Sequence, residues 1–166
     1  AARAAGVYLL NVPTGGGKTL SSLRFALNHA KNRNLDHIIY VIPYLSVLEQ
    51  TVNDIKIALK YDDKKEDFLL EHHSNWSISD DEKEAQAHRL LTDRWDSPII
   101  VTTMVQFLES IYSEKSGRLR KLHNMSNAVV IFDEVQSLPV KCTHLFNEAV
   151  NFLHNMAVYC DSASIS

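Results

Sequence analysis

Lys18 and Thr19 directly follow three glycines, Gly15, Gly16 and Gly17, which are preceded by Pro13 and Thr14. Glycines let a backbone curl until successive N–H groups face one anion, and a helix starting there adds its positive dipole end. A lysine at that point reaches the outer phosphates of a nucleotide. A threonine hydroxyl beside it suits a Mg2+ ion that also touches those phosphates. Pro13, Thr14, Gly15, Gly16, Gly17, Lys18 and Thr19 are therefore the expected cradle for ATP, with Thr19 as a metal ligand and Lys18 also acting in catalysis. The stretch departs from the usual phosphate loop in one place: Val12 stands where the first glycine is expected. The alternative, a glycine-rich turn that happens to precede a lysine, is outweighed by the agreement of strand, loop, helix and hydroxyl.

A second pair of groups could complete that chemistry. Asp133 and Glu134 follow the most continuous apolar run of the chain, Ala128-Val129-Val130-Ile131-Phe132. A carboxylate at the carboxyl end of a buried strand can hold a metal ion, and its neighbour can orient and deprotonate an attacking water. Asp133 is assigned the metal and Glu134 the role of general base. Taken alone, an acidic loop after a core strand would serve as well; the upstream phosphate loop weights the choice toward chemistry.

These groups need a scaffold that presents strand ends along one edge. Residues 7–12 and 37–42 are short apolar runs closed by turn-forming residues, and 18–31 and 45–59 carry apolar residues at helical spacing. Further strands are expected at 68–71, 98–102 and 128–132, and helices from the acidic stretch near 80 to Arg94, at 104–112, at 118–124 and at 139–159. Segments 62–67 and 74–79 look like solvated loops. Strands apolar on both faces and separated by helices describe an α/β fold, a mostly parallel sheet with helices on both faces.

The chain has 166 residues, 45% of them hydrophobic, and a formal net charge of -3. That charge argues against holding nucleic acid by bulk positive potential, so any such contact must be local. Cys142 and Cys160 lack disulfide or zinc spacing and read as core or partly buried thiols. The adjacent His72 and His73 lack Asp, Glu or Cys at ligand spacing and read as a strand end or loop rather than a metal site. No apolar run approaches the ~20 residues needed to span a bilayer. The start of the chain has no signal-peptide layout, so a cytoplasmic location is expected.

With both stretches in hand, the sequence resembles superfamily 2 helicases of the DEAD/DEAH type: Pro13 to Thr19 match motif I, and Asp133-Glu134-Val135-Gln136 match motif II. It is similar in particular to the helicase part of the CRISPR-associated helicase–nuclease of type I interference systems. That similarity rests on Asn11 to Thr19, on Ile39-Tyr40-Val41-Ile42-Pro43, and on Val130 to Pro139. Gln136 departs from the pattern, standing where the DEAD and DEAH motifs have Asp or His.

The resemblance implies a RecA-like P-loop domain, the first of two motor domains, with ATP and Mg2+ as cofactors and single-stranded DNA as substrate. By position, Pro43 and the helix carrying Gln50 correspond to motif Ia, and Thr102 and Thr103 to motif Ib; in the family these line a track for the nucleic-acid backbone. Without the family, Thr102 and Thr103 read as a strand end and helix cap. Gln136 is implied to sense the nucleotide and relay its state to the second motor domain, although as a bare residue it could equally be a surface glutamine. A CRISPR RNA-guided surveillance complex is implied as recruiter, with 3′-to-5′ polarity.

Residues 1–166 are thus expected to form a single ATP-binding domain, a fragment with a nuclease domain upstream and the second motor domain downstream. Ser162-Ala163-Ser164 resembles the Ser/Thr-Ala-Thr of motif III, but no apolar strand separates it from the preceding helix, so the chain is expected to stop just before that strand. Other readings remain: another DEAD/DEAH-type RNA or DNA helicase domain, a small P-loop phosphotransferase, or a module that binds nucleotide or DNA without turnover.

Overall fold

A computed structural model describes residues 6–13, 16–60, 68–74, 82–114, 117–155 and 159–163; Thr14, Gly15 and Ser164 lie outside them. In chain order the elements are β1 (Val7–Leu9), α1 (Lys18–Arg33), β2 (His37–Ile42), α2 (Leu45–Leu59), β3 (Leu69–His72), α3 (Glu82–Arg94), β4 (Ile99–Thr103), α4 (Met104–Tyr112), α5 (Arg118–Ser126), β5 (Ala128–Asp133), α6 (Val140–Asn155) and β6 (Tyr159–Ala163). The six strands lie in the order β1-β6-β5-β2-β4-β3. Every described pairing is parallel, so all strand carboxyl ends share one edge.

Period-two alternation sorts the central strands onto two faces. Ile38, Tyr40 and Ile42 of β2, with Val129 and Ile131 of β5, pack with Leu23, Ala26, Leu48 and Ile55 of α1 and α2. Ile39, Val41, Val130 and Phe132 point the other way, into a core with Phe107, Ile111, Met125 and Phe146 of α4, α5 and α6. Phe132 meets Phe107 and Phe146 edge-on, with ring centroids 5.2 and 5.0 Å apart. Such pairs add ~0.5–1.5 kcal/mol each beyond burial and pin the end of β5 just before the acidic pair.

Three sequence expectations are corrected. β1 ends at Leu9, not at residue 12. The last helix stops at Asn155, and Tyr159 belongs to a strand. That strand, β6, inserts between β1 and β5, with Ser162 in register with Phe132 and Ala163 with Asp133. The expectation that the chain stops before this strand is therefore overturned. The helical reading failed because Tyr-Cys-Asp-Ser-Ala lacks an apolar run; the segment is held by pairing on both sides instead.

Candidate functional site

The convergence begins with parity. Asp133 shares the face of Val129 and Ile131, so the last residue of β5 turns toward α1 at the carboxyl edge of the sheet. α1 begins there with Lys18. Lys18 Nζ lies 2.7 Å from Asp133 Oδ1 and also donates to Glu134 Oε1. Residues 116 positions apart in the chain meet at one ammonium group.

The loop before Lys18 is tight. Gly16 N–H donates to the Pro13 carbonyl at 2.9 Å. A Cβ at Gly16 would sit 2.9 Å from that same oxygen and 3.0 Å from Val12 Cγ1, so only glycine fits. Gly17, the residue before α1, has φ 71 and ψ 41, the left-handed region that glycine enters without penalty. Thr19 lies in the first turn of α1, half-buried.

The acidic loop is equally constrained. Asp133 is 6% exposed. Its Oδ1 accepts from the Glu134 N–H at 2.9 Å. Glu134 itself has φ 53, unusual for a residue with a side chain. A single 3-10 turn, Val135–Ser137, holds it there: Ser137 N–H and Oγ both donate to the Glu134 carbonyl, at 2.9 and 2.6 Å. Gln136 is exposed, yet its amide donates to Glu134 Oε2 at 2.6 Å, so the Glu134 carboxylate is held from both sides.

Burial draws the Lys18 pKa down, but hydrogen bonds and charge from Asp133 and Glu134 outweigh it, and the net shift is upward. The group therefore stays cationic. A buried carboxylate facing a cation and a loop that folds back only with glycine suit a metal-bound nucleotide phosphate. Lys18, Thr19 and Asp133 are the residues there that could hold such a group, with Glu134 beside them.

The residues expected along a nucleic-acid track are less uniform. Pro43 is half-buried after β2, and Gln50 is exposed on α2. Thr102 is fully buried, and its hydroxyl donates to the His72 carbonyl at 2.9 Å. Thr103 is the N-cap of α4, its hydroxyl accepting from Gln106 N–H. Thr102 and Thr103 end β4 and Pro43 follows β2 at the same carboxyl edge as Asp133, with Gln50 farther along α2.

His72 ends β3, and its ring is committed to the fold. Trp95 Nε1–H donates to His72 Nδ1 at 3.2 Å, and burial, reinforced by positive charge from Lys121, His88 and His73, brings the His72 pKa down to about 3. Cys142 is a half-buried free thiol, and Cys160 lies in β6.

Several residues of the site went unnoticed in the sequence. Ser22 donates to the Thr19 carbonyl at 2.9 Å and meets the buried Tyr40 hydroxyl at 3.2 Å. Tyr44 donates to the Ser137 carbonyl at 3.3 Å. One signal was available: a tyrosine inside the apolar run of β2 must find a partner for its hydroxyl.

Comparison with known proteins follows the same lines. The chain is 29% identical over 150 residues to the CRISPR-associated nuclease/helicase Cas3 of Haloferax volcanii, a match covering 80% of the chain and 16% of that protein. It superposes on the crystal structure of T. fusca Cas3-AMPPNP with a TM-score of 0.81 at 22% identity, over 98% of the chain and 19% of that one. A chain of a CRISPR RNA-guided surveillance complex in a pre-nicking state matches with a TM-score of 0.67 at 17% identity, over 98% of the chain and 16% of its own. The chain thus spans less than a fifth of each of these relatives. No helix among the described residues is long and apolar enough to cross a membrane. The DEAD/DEAH box helicase model matches residues 4–166, and with motif I and motif II brought together at one sheet edge, the chain belongs to the DEAD/DEAH box helicase family.

Proposed function

We propose that this chain is the first RecA-like motor domain of an ATP-dependent superfamily 2 DNA helicase of the Cas3 kind, working in CRISPR interference in the cytoplasm. The observation that carries the reading is the meeting of Lys18 with Asp133 and Glu134 at the edge where the phosphate loop opens. The resemblance to Cas3-AMPPNP supports a nucleotide there, and that to a surveillance-complex chain supports an RNA-guided recruiter.

In this reading Lys18 exchanges its carboxylate partners for the outer phosphates of ATP. Thr19 and Asp133 would hold Mg2+, which when bound would neutralise phosphate charge. Glu134, positioned by Gln136 and by the 3-10 turn, takes the proton of the attacking water. Gln136, exposed beside it, relays the state of the site to a second motor domain, which supplies the arginine that stabilises the transition state. Pro43, Gln50 and Thr103 line one wall of a track for single-stranded DNA, and Thr102 fixes the strand end beneath Thr103. Contacts of this type hold phosphates without reading sequence.

The test is ATP hydrolysis by the full-length protein with and without single-stranded DNA. DNA-stimulated turnover that Lys18→Ala abolishes is the expected result. Transfer of phosphate to a small acceptor by this chain alone would instead support a phosphotransferase, and stimulation by RNA only would point to another DEAD/DEAH helicase.

A further inference from the structure

The corner between β2 and α2 is fastened to both halves of the proposed nucleotide site through Tyr40 and Tyr44, and the motifs assign a role to neither tyrosine. Tyr40, before the corner, is 1% exposed. Its hydroxyl reaches Ser22, which donates to the carbonyl of Thr19 in the first turn of α1. Tyr44, after Pro43, is the N-cap residue of α2, with extended backbone at φ -123 and ψ 139. Its side chain makes no cap bond to its own helix; it crosses instead to the Ser137 carbonyl at 3.3 Å. Ser137 in turn donates twice to the carbonyl of Glu134.

From this geometry we propose that Tyr44, backed by Tyr40, is a positioning residue coupling a nucleic-acid strand at the β2–α2 corner to the nucleotide held by Lys18 and Glu134. The inference rests on the functional reading above, which puts a sugar-phosphate backbone at Pro43 and α2. Tyr44 is 52% exposed, so a strand lying along the start of α2 meets it directly. The phenol has only two rotatable bonds, and Pro43 beside it has a fixed φ. Displacement of Tyr44 therefore reaches the turn that holds Glu134 in its left-handed conformation. Tyr40 keeps the other side of the corner fixed against α1, so the movement is not absorbed by the strand.

Coupling of this kind is reciprocal in binding free energy and needs no catalysis to be read. The experiment uses the full-length protein. Fluorescence anisotropy gives its affinity for labelled oligo(dT) with and without Mg-AMPPNP, and calorimetry gives its AMPPNP affinity with and without oligo(dT). In wild type each ligand is expected to change the affinity for the other by roughly fivefold or more. In Tyr44→Phe the mutual effect should fall roughly threefold or more toward unity, as loss of one hydrogen bond implies, whether or not the separate affinities change. A purely structural role would lower both affinities or the melting temperature and leave the ratio intact. Tyr40→Phe should act in the same direction; if it melts early, Tyr44→Phe decides alone, because its ring is half exposed and keeps its packing.

A Tyr44→Phe protein with the wild-type ratio overturns the proposal. So does a wild-type protein that binds both ligands with no mutual effect, although the functional reading then stands. If the wild type binds neither ligand, that reading fails and the proposal falls with it.

Discussion

At the scale of single residues, Lys18 sets one positive charge against two carboxylates, and the balance left over is negative. That residue of charge suits a cation. Under the proposed function Lys18→Ala is expected to reduce nucleotide affinity below detection in a calorimetric titration, since it removes the lysine that would meet the phosphates; unchanged affinity would remove the basis for the site. Glu134→Gln keeps the size of the side chain and removes the proposed base, so ATP binding should stay within a few-fold while turnover of the full-length protein falls by about 10²–10⁴ in a steady-state assay. His72 makes a different prediction. Its folded pKa of about 3 lies below the ordinary 6.5, so the unfolded chain takes up its proton first as pH falls. The stability owed to the neutral ring is complete above pH 6.5 and drains away toward pH 3, by up to about 1.4 kcal/mol per pH unit. The melting temperature of the wild type should therefore drop more between about pH 7.5 and about pH 5 than that of His72→Gln. Equal drops would show that His72 does not carry the effect. The motif residues stood out in the sequence by their spacing, and the strand-end position of His72 was legible too; its burial was not, because that depends on Trp95, which is distant in sequence.

At the scale of elements, the two strained loops set the register of the chemistry. Gly16→Ala puts a Cβ against the Pro13 carbonyl, and backbone cannot step aside as a side-chain tip can. Gly17→Ala meets nothing within 4 Å but forces a side chain to φ +71, at a cost of ~1–2 kcal/mol. The two variants should separate: Gly16→Ala loses nucleotide affinity in titration, whereas Gly17→Ala shows its main loss in urea unfolding. Trp95, also at positive φ, is clamped by Asn124, whose amide donates to the Arg94 and Trp95 carbonyls and to Asp96 Oδ1. The boundaries of β2, α2 and α4 could be read from apolar runs, turn residues and helical spacing. β6 could not, because a short polar strand paired on both sides needs no apolar signature of its own, and a helical pattern read forward from residue 139 runs straight over it. The left-handed Glu134 was likewise invisible, since only the hydrogen bonds from Ser137 justify it.

For the whole molecule, the alternation of strands and helices was enough to foresee a parallel sheet covered on both faces, but not the order of its strands. Order depends on which strand inserts between which, and periodicity carries no such information. Under the proposed function the other wall of the site belongs to a second motor domain, so the isolated chain is expected to hydrolyse ATP at a small fraction of the rate of a protein extended through that domain, as a direct comparison of steady-state rates with DNA present would reveal. The position of β6 carries a further consequence, for synthesis on the ribosome. β1, the strand that leads into the phosphate loop, is made well before β6, its described sheet partner. A nascent chain halted before Tyr159 already has β5 and the acidic pair but lacks the described sheet partner of β1. Among the described residues, β1 is therefore paired only once Tyr159–Ala163 has been made, after the strand that carries the acidic pair.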